Sequence, residues 1–311
     1  MLTRENLRGV WVSVTLPWDE DGNLDEATFR QNVAKLIESG VQGLYTTGST
    51  GEFYALDWDE FRRMVDAFAA ETQGRVLTQV GCTWLNSRDS IRMARYAAER
   101  GVDGVQVALP FWMELNDDEV LQYFVDLGRA CPDVGLVHYN IRRAKRFLTG
   151  RDYQRICARV PNLIGTKFGS SEFAAWMELQ INGPELAHFV GEGDLVMGMM
   201  FGAKGVYCSH ALMNPRFILD WFSLCERGEW DEAARIQWRV NRWLVKAVYP
   251  LLGAGHLDPT LDKAFQEMVG WLKGSRWTRP PYIPLTDEEM TRLIEDTKAY
   301  YPEMFEYVSG R

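Results

Sequence analysis

Histidine and cysteine are scarce in this 311-residue chain, and neither occurs in a metal-binding arrangement. The four histidines are scattered without an HExxH pair, and the five cysteines form no CxxC motif. An odd number of widely spaced cysteines is typical of reduced, mostly buried thiols in the cytoplasm. The sequence therefore predicts no zinc site, no disulfide framework and a cytoplasmic location.

Long apolar runs and clustered cations are also missing. No stretch approaches the roughly eighteen uninterrupted apolar residues of a membrane helix, and the charged residues 1–8 lack the apolar core of a secretory signal. The formal net charge is −9, and the longest basic run is 142–146. Because nucleic-acid binding depends on clustered cations, we expect neither nucleic-acid nor membrane partners.

The remaining composition is that of an ordinary globular protein, with 46% apolar and 25% charged residues. Short apolar, β-branched runs alternate with amphipathic stretches such as 25–39, 58–72, 87–99 and 117–130. The apolar runs are 9–16, 43–47, 76–81, 104–108, 135–139, 163–167, 188–190 and 205–208.

Eight strand candidates separated by helices predict an α/β fold, the (β/α)8 TIM barrel. A doubly wound open sheet is the competing fold, but no GxGxxG follows the first strand. From about residue 215 the strand pattern disappears and the chain is predicted to be helical. We therefore expect a barrel over 1–225 and a helical extension over 226–311, packed together as one structural unit.

The carboxyl ends of the strands are where a barrel enzyme keeps its active site. Lys167 ends the sixth run after apolar residues, and burial would favour its neutral, nucleophilic amine. Tyr139 ends the fifth run and could shuttle protons. Alternatively, Lys167 could lie at the rim of the barrel with its ammonium in solvent, and Tyr139 could be a core residue without a catalytic role.

A turn of small residues, 48–51, follows the second strand. Its two hydroxyls and its backbone amides suit a carboxylate, which takes several donors on two oxygens. Such turns are also common connectors. A phosphate-binding loop is a third possibility, but the lysine that such loops carry is missing.

Taken in order, these motifs resemble one known family. The GSTGE turn, Tyr139-Asn140, Gly165-Thr166-Lys167 and the tail 279–286 are similar to the dihydrodipicolinate synthase / N-acetylneuraminate lyase superfamily of class I, Schiff-base aldolases. The resemblance covers nearly the whole chain.

The resemblance implies a role for each matching residue. Lys167 corresponds to the imine-forming lysine and Tyr139 to the proton-shuttling tyrosine, while Ser49 and Thr50 correspond to the hydroxyls that hold the keto acid carboxylate. Further substrate-binding positions are Gly48, Asn140, Gly191, Val206 and Cys208.

Two segments depart from the synthases. Residues 109–113 lack the tyrosine pair that joins the synthases' proton relay, and the loop 141–150 is longer and more basic. Both departures disfavour dihydrodipicolinate synthesis. The segment Pro110-Phe111-Trp112, together with the longer loop, is more similar to the hydratase-aldolases that cleave aromatic ylidenepyruvates, and the Trp112 ring offers a flat wall for an aromatic aldehyde. Packing against a neighbouring subunit is the alternative for Trp112.

The predicted function is that of a Schiff-base-forming pyruvate aldolase or lyase, which reversibly cleaves a 2-keto acid to pyruvate and an aldehyde. It needs no metal or organic cofactor, because the covalent imine on Lys167 is the electron sink. The alternatives are a hydratase-aldolase, a keto-deoxy-sugar acid dehydratase, the disfavoured synthase and a non-catalytic keto-acid binding protein. The family resemblance also implies a homotetramer, arranged as a dimer of dimers.

Overall fold

The computed structural model describes residues 1–309 and contains a closed barrel of parallel strands in sequence order. The strands are β1 (Gly9–Ser13), β2 (Gly43–Thr46), β3 (Leu77–Gly81), β4 (Gly104–Val107), β5 (Gly135–Ile141), β6 (Leu163–Gly169), β7 (Ala187–Gly191) and β8 (Gly205–Tyr207). Within the described residues the strand count is eight, and the predicted TIM barrel is confirmed.

A helix follows each strand, and further helices make up the C-terminal part. The first eight are α1 (Glu26–Glu38), α2 (Trp58–Thr72), α3 (Ser87–Glu99), α4 (Asp117–Ala130), α5 (Gly150–Cys157), α6 (Phe173–Asn182), α7 (Leu195–Met200) and α8 (Pro215–Glu226). After them come α9 (Trp230–Trp243), a π-helical turn (Leu244–Val248), α10 (Tyr249–Gly253), α11 (Asp258–Val269), α12 (Asp287–Tyr300) and α13 (Glu306–Ser309). The C-terminal part is therefore helical, as predicted.

Side-chain caps fix where several helices begin. Asp25 accepts the Thr28 N–H at the start of α1, and Asn116 forms a reciprocal capping box with Glu119 at the start of α4. Asn86 caps α3, because its side chain accepts the N–H of Asp89 three residues further on.

The strands that carry Tyr139 and Lys167 extend two residues further than predicted. β5 runs to Ile141 and β6 to Gly169, and their ladder continues through the pairs Asn140–Phe168 and Ile141–Gly169. Tyr139 and Lys167 therefore lie within paired strands rather than at the strand ends. A backbone fixed on both sides of each residue gives its side chain a defined direction.

The chain divides into two compact units, one formed by Met1–Gly9 and Gln73–Tyr207 and the other by Val10–Thr72 and the chain from Cys208 onward. The boundary expected near residue 225 stays a prediction. Among residues 1–309 we find no helix with the length and apolar character needed to cross a bilayer.

Candidate active site

Lys167 and Tyr139 are direct neighbours in the register of β6 and β5. The Lys167 Nζ atom lies 4.3 Å from the centroid of the Tyr139 ring. Both side chains are half-buried, so each keeps some exposed surface. An amine beside a phenol has the composition needed for imine chemistry, in which the phenol moves protons to and from the groups on the attacked carbon.

A second tyrosine ring contacts the same amine. The centroid of the Tyr207 ring, at the end of β8, is 5.2 Å from the Lys167 Nζ atom. The buried Tyr207 hydroxyl donates to Gln79 Oε1 at 2.8 Å, and Gln106 Nε2 lies 3.3 Å from the same oxygen. Tyr207 lies between two predicted site positions, Val206 and Cys208, but was not itself predicted.

Two buried histidines, on β5 and β7, each lie within hydrogen-bonding distance of a hydroxyl. His138 Nδ1 lies 2.6 Å from the Tyr153 hydroxyl, and the Thr166 hydroxyl lies 2.7 Å from His188 Nδ1. Burial lowers the pKa of His138 to about 3 and that of His188 to about 4. Both imidazoles are therefore neutral at pH 7 and are poor candidates for the proton shuttle.

Three other predicted site positions, Asn140, Val206 and Gly191, lie in the same compact unit as Lys167. Asn140 is buried, and its side chain exchanges two hydrogen bonds with the backbone of Leu148, which fixes the loop after β5. Val206 is buried in β8. Gly191 ends β7, and a Cβ atom there would meet nothing within 4 Å. Beyond it, burial raises the pKa of Asp194.

Trp112 stands out as an exposed aromatic side chain, with 73% of its surface accessible. The Lys145 Nζ atom, from the loop after β5, lies 5.8 Å from its ring centroid. Arg146 anchors this loop by pairing with Asp117 and Asp152. The exposed Trp112 ring is thus available for contact with a ligand or another subunit, the two alternatives raised above.

The predicted carboxylate loop lies in the second unit, after β2. Thr47 and Glu52 adopt left-handed backbone conformations, with φ of 53° and 43°. A Cβ atom at Gly51 would lie 2.4 Å from the Thr47 nitrogen, so only glycine fits there. The loop closes through the Glu52 N–H, which donates to the Ser49 carbonyl at 2.9 Å. Ser49 is half-buried and Gly48 is buried.

A buried ion pair holds the end of this loop. The Glu52 carboxylate pairs with the Lys263 ammonium of α11, and their side chains are 0% and 2% exposed. Glu52 also accepts the Trp18 indole N–H at 3.0 Å, while Lys263 donates to the Trp277 carbonyl at 2.9 Å. Burial lowers the pKa of Lys263 to about 8, although the Glu52 charge acts in the opposite direction.

The tail motif has a structural role in the same unit. Arg279 pairs with Glu60, and it donates to the carbonyls of Gly22 and Ala55. Its guanidinium carbon lies 4.0 Å from the centroid of the Trp18 ring. The motif therefore ties the C-terminal part to the loops after β1 and β2. Cys208, another predicted position, is buried in this unit.

These features define a class: a (β/α)8 barrel that carries a lysine and a tyrosine side by side on neighbouring strands. The model of the dihydrodipicolinate synthetase family matches residues 6–300. The chain therefore belongs to this family. The predicted superfamily is confirmed, and with it the prediction of an enzyme of the lyase class.

Relatives within the family carry different activities. A 4-hydroxy-tetrahydrodipicolinate synthase of Thermus thermophilus is 27% identical over 90% of this chain and 92% of its own length. A trans-O-hydroxybenzylidenepyruvate hydratase-aldolase of Pseudomonas aeruginosa is 23% identical, covering 96% and 93%. The fold matches that of a Ruminococcus gnavus sialic acid aldolase, solved as a catalytic lysine mutant, with a TM-score of 0.86, 24% identity and coverage of 99% and 100%.

Proposed function

We propose that this protein is a Schiff-base-forming pyruvate aldolase or lyase that cleaves a 2-keto acid to pyruvate and an aldehyde. The observation that carries the proposal is the placement of the Lys167 amine against the Tyr139 ring, on paired strands of the barrel. Family membership supports the same chemistry, since relatives include an aldolase and a hydratase-aldolase.

The cycle begins when the neutral Lys167 amine attacks the keto carbon. Tyr139 carries a proton to the departing oxygen, water leaves, and a protonated imine forms. The C4 hydroxyl then returns a proton to the Tyr139 oxygen as the bond between C3 and C4 breaks. The electron pair of that bond moves into the imine to give an enamine, and the aldehyde departs. Protonation of the enamine at C3 and hydrolysis of the imine release pyruvate and restore Lys167.

The loop after β2 completes the proposal. The carboxylate of the keto acid is assigned to the loop that contains Gly48, Ser49 and Thr50, as the family resemblance implies. The imine supplies the electrophile, so the proposed cycle uses no metal or organic cofactor. Tetrameric assembly and a cytoplasmic location stay predictions.

Reductive trapping tests the proposal. Pyruvate with borohydride should add a reduced pyruvyl group to the folded wild type, because hydride converts the imine into a stable secondary amine. Lys167→Arg should gain no such mass, and Tyr139→Phe should gain it more slowly. A panel of keto acids, assayed for pyruvate release, then identifies the cleaved substrate. An unmodified wild-type protein would sink the mechanism.

A hydratase-aldolase is the second candidate, favoured by the exposed ring of Trp112 beside Lys145. In that reaction water adds to the double bond of an aromatic ylidenepyruvate before the carbon–carbon bond is cleaved. Loss of the enone's ultraviolet absorbance on mixing, followed by aldehyde release, would support this activity. Keto-deoxy-sugar acid dehydration would instead eliminate water without releasing pyruvate, so product analysis distinguishes the two.

A further inference from the structure

The predicted carboxylate loop is anchored by two consecutive residues of α11. The Thr50 hydroxyl donates to Asp262 Oδ2 at 2.6 Å, and the next helix residue, Lys263, pairs with Glu52. Thr50 is 8% exposed and Asp262 is 5% exposed, so water competes little for this hydrogen bond. Both anchors belong to the same compact unit as the loop.

The direction of the Thr50 hydrogen bond limits what this hydroxyl can do. A hydroxyl has one proton to donate, and a carboxylate accepts hydrogen bonds without donating any. While Thr50 donates to Asp262, it cannot also donate to the carboxylate of a keto acid. A ligand carboxylate in this loop must therefore take its hydrogen bonds from other groups.

The backbone of the loop explains why an anchor is needed. Thr47 and Glu52 both have positive φ angles, and such conformations cost free energy in residues other than glycine, most of all in a β-branched threonine. They persist only where neighbouring contacts hold them. The bond from Thr50 to Asp262 fixes the middle of the loop, and the Glu52–Lys263 pair fixes its end.

We infer that Asp262 is a positioning residue for the carboxylate seat, an inference that rests on the proposed function. By accepting the Thr50 hydroxyl proton it holds the bend, so that the Ser49 hydroxyl and the backbone N–H groups of the loop bind the keto acid carboxylate. Thr50 then acts through Asp262 and not as a direct donor to the substrate.

A double-mutant cycle tests this assignment. The measured quantity is the pyruvate concentration that half-saturates borohydride trapping in wild type, Thr50→Val, Asp262→Ala and the double variant. Each single variant should raise this concentration roughly tenfold, the value expected for loss of one hydrogen bond to a charged group. The half-saturating concentration of the double variant should be no higher than that of either single variant, because all three variants break the same contact.

Asp262→Asn is the matched control. Its side-chain oxygen still accepts the Thr50 proton, so half-saturation should stay within about threefold of wild type, a difference smaller than the net value of one hydrogen bond. Circular dichroism of each variant confirms the fold. Unchanged or tighter half-saturation in Asp262→Ala, with weaker binding in Thr50→Val, would show that Thr50 donates to pyruvate and would overturn the inference alone. Failure of the wild type to trap pyruvate would overturn the proposed function with it.

Discussion

The buried pair of Glu52 and Lys263 gives a quantitative prediction about stability. Lys263→Met removes the ammonium but leaves the Glu52 carboxylate, which is 0% exposed and accepts the Trp18 indole N–H at 3.0 Å. Breaking one side of a buried ion pair costs about 3–5 kcal/mol, because the other charge stays buried without its partner. At about 2 °C per kcal/mol for a chain of this size, the melting temperature should fall by roughly 6–10 °C.

The double variant Lys263→Met, Glu52→Gln separates this effect from lost packing. Both charges are then gone, so at least half of the lost melting temperature should return. Arg235→Met is the matched control, since Arg235 pairs with Glu232 on the surface of α9 and is 73% exposed. Its loss should shift the melting temperature by about 1 °C or less. Differential scanning fluorimetry measures the melting temperature of wild type and the three variants. Equal losses of melting temperature in the single variants Lys263→Met and Arg235→Met would refute the reasoning.

Three further predictions concern separate parts of the chain. Hydrogen bonds, first from the Thr286 N–H, lower the pKa of Glu289 to about 2 from 4.5. Its stabilisation is therefore present above pH 4.5 and is lost as the pH falls toward 2, so the melting-temperature gap between wild type and Glu289→Ala should narrow on acidification. Tyr207→Leu should slow imine trapping roughly fivefold, because the cationic imine loses a flanking ring, whereas Tyr207→Phe should stay within about twofold. Trp112→Tyr should change aldehyde preference much more than pyruvate trapping.

Each of these has an outcome that would contradict it. If the difference in melting temperature between wild type and Glu289→Ala stayed constant from pH 7 to pH 3, ionisation of the Glu289 carboxylate would not contribute to stability. Equal trapping rates in Tyr207→Leu and wild type would show that the ring only fills space. Unchanged ratios of kcat/KM across aromatic and aliphatic aldehydes in Trp112→Tyr would leave packing as the role of Trp112.

Periodicity along the chain predicts the barrel because each strand is a short apolar run buried by its neighbours. The strand ends were harder to predict. Asn140 and Gly169 have low strand propensity, yet the ladder between β5 and β6 includes both of them. Hydrogen bonds between distant segments decide such boundaries, and a single sequence does not display them.

The residues that hold the loops of the predicted site cannot be recognised from sequence patterns either, because their contacts join distant parts of the chain. Asp262, Lys263 and Gln266 are polar residues that an amphipathic helix normally turns toward water, but α11 buries all three. Gln266 accepts the Thr15 hydroxyl at 2.5 Å, a contact between positions 251 residues apart. The proposed catalytic residues were predicted from motifs, whereas the residues that hold the loops are brought together by contacts between positions far apart in the sequence.

Peptide mapping of the borohydride-reduced pyruvate adduct tests the central claim most directly. Two lysines deserve comparison: Lys167, beside the Tyr139 ring, and Lys263, whose pKa burial lowers to about 8. We predict that the reduced pyruvyl group is found on Lys167 and that Lys263 is unmodified in the folded protein. An adduct on Lys263, or no adduct on Lys167 at saturating pyruvate, would contradict the account.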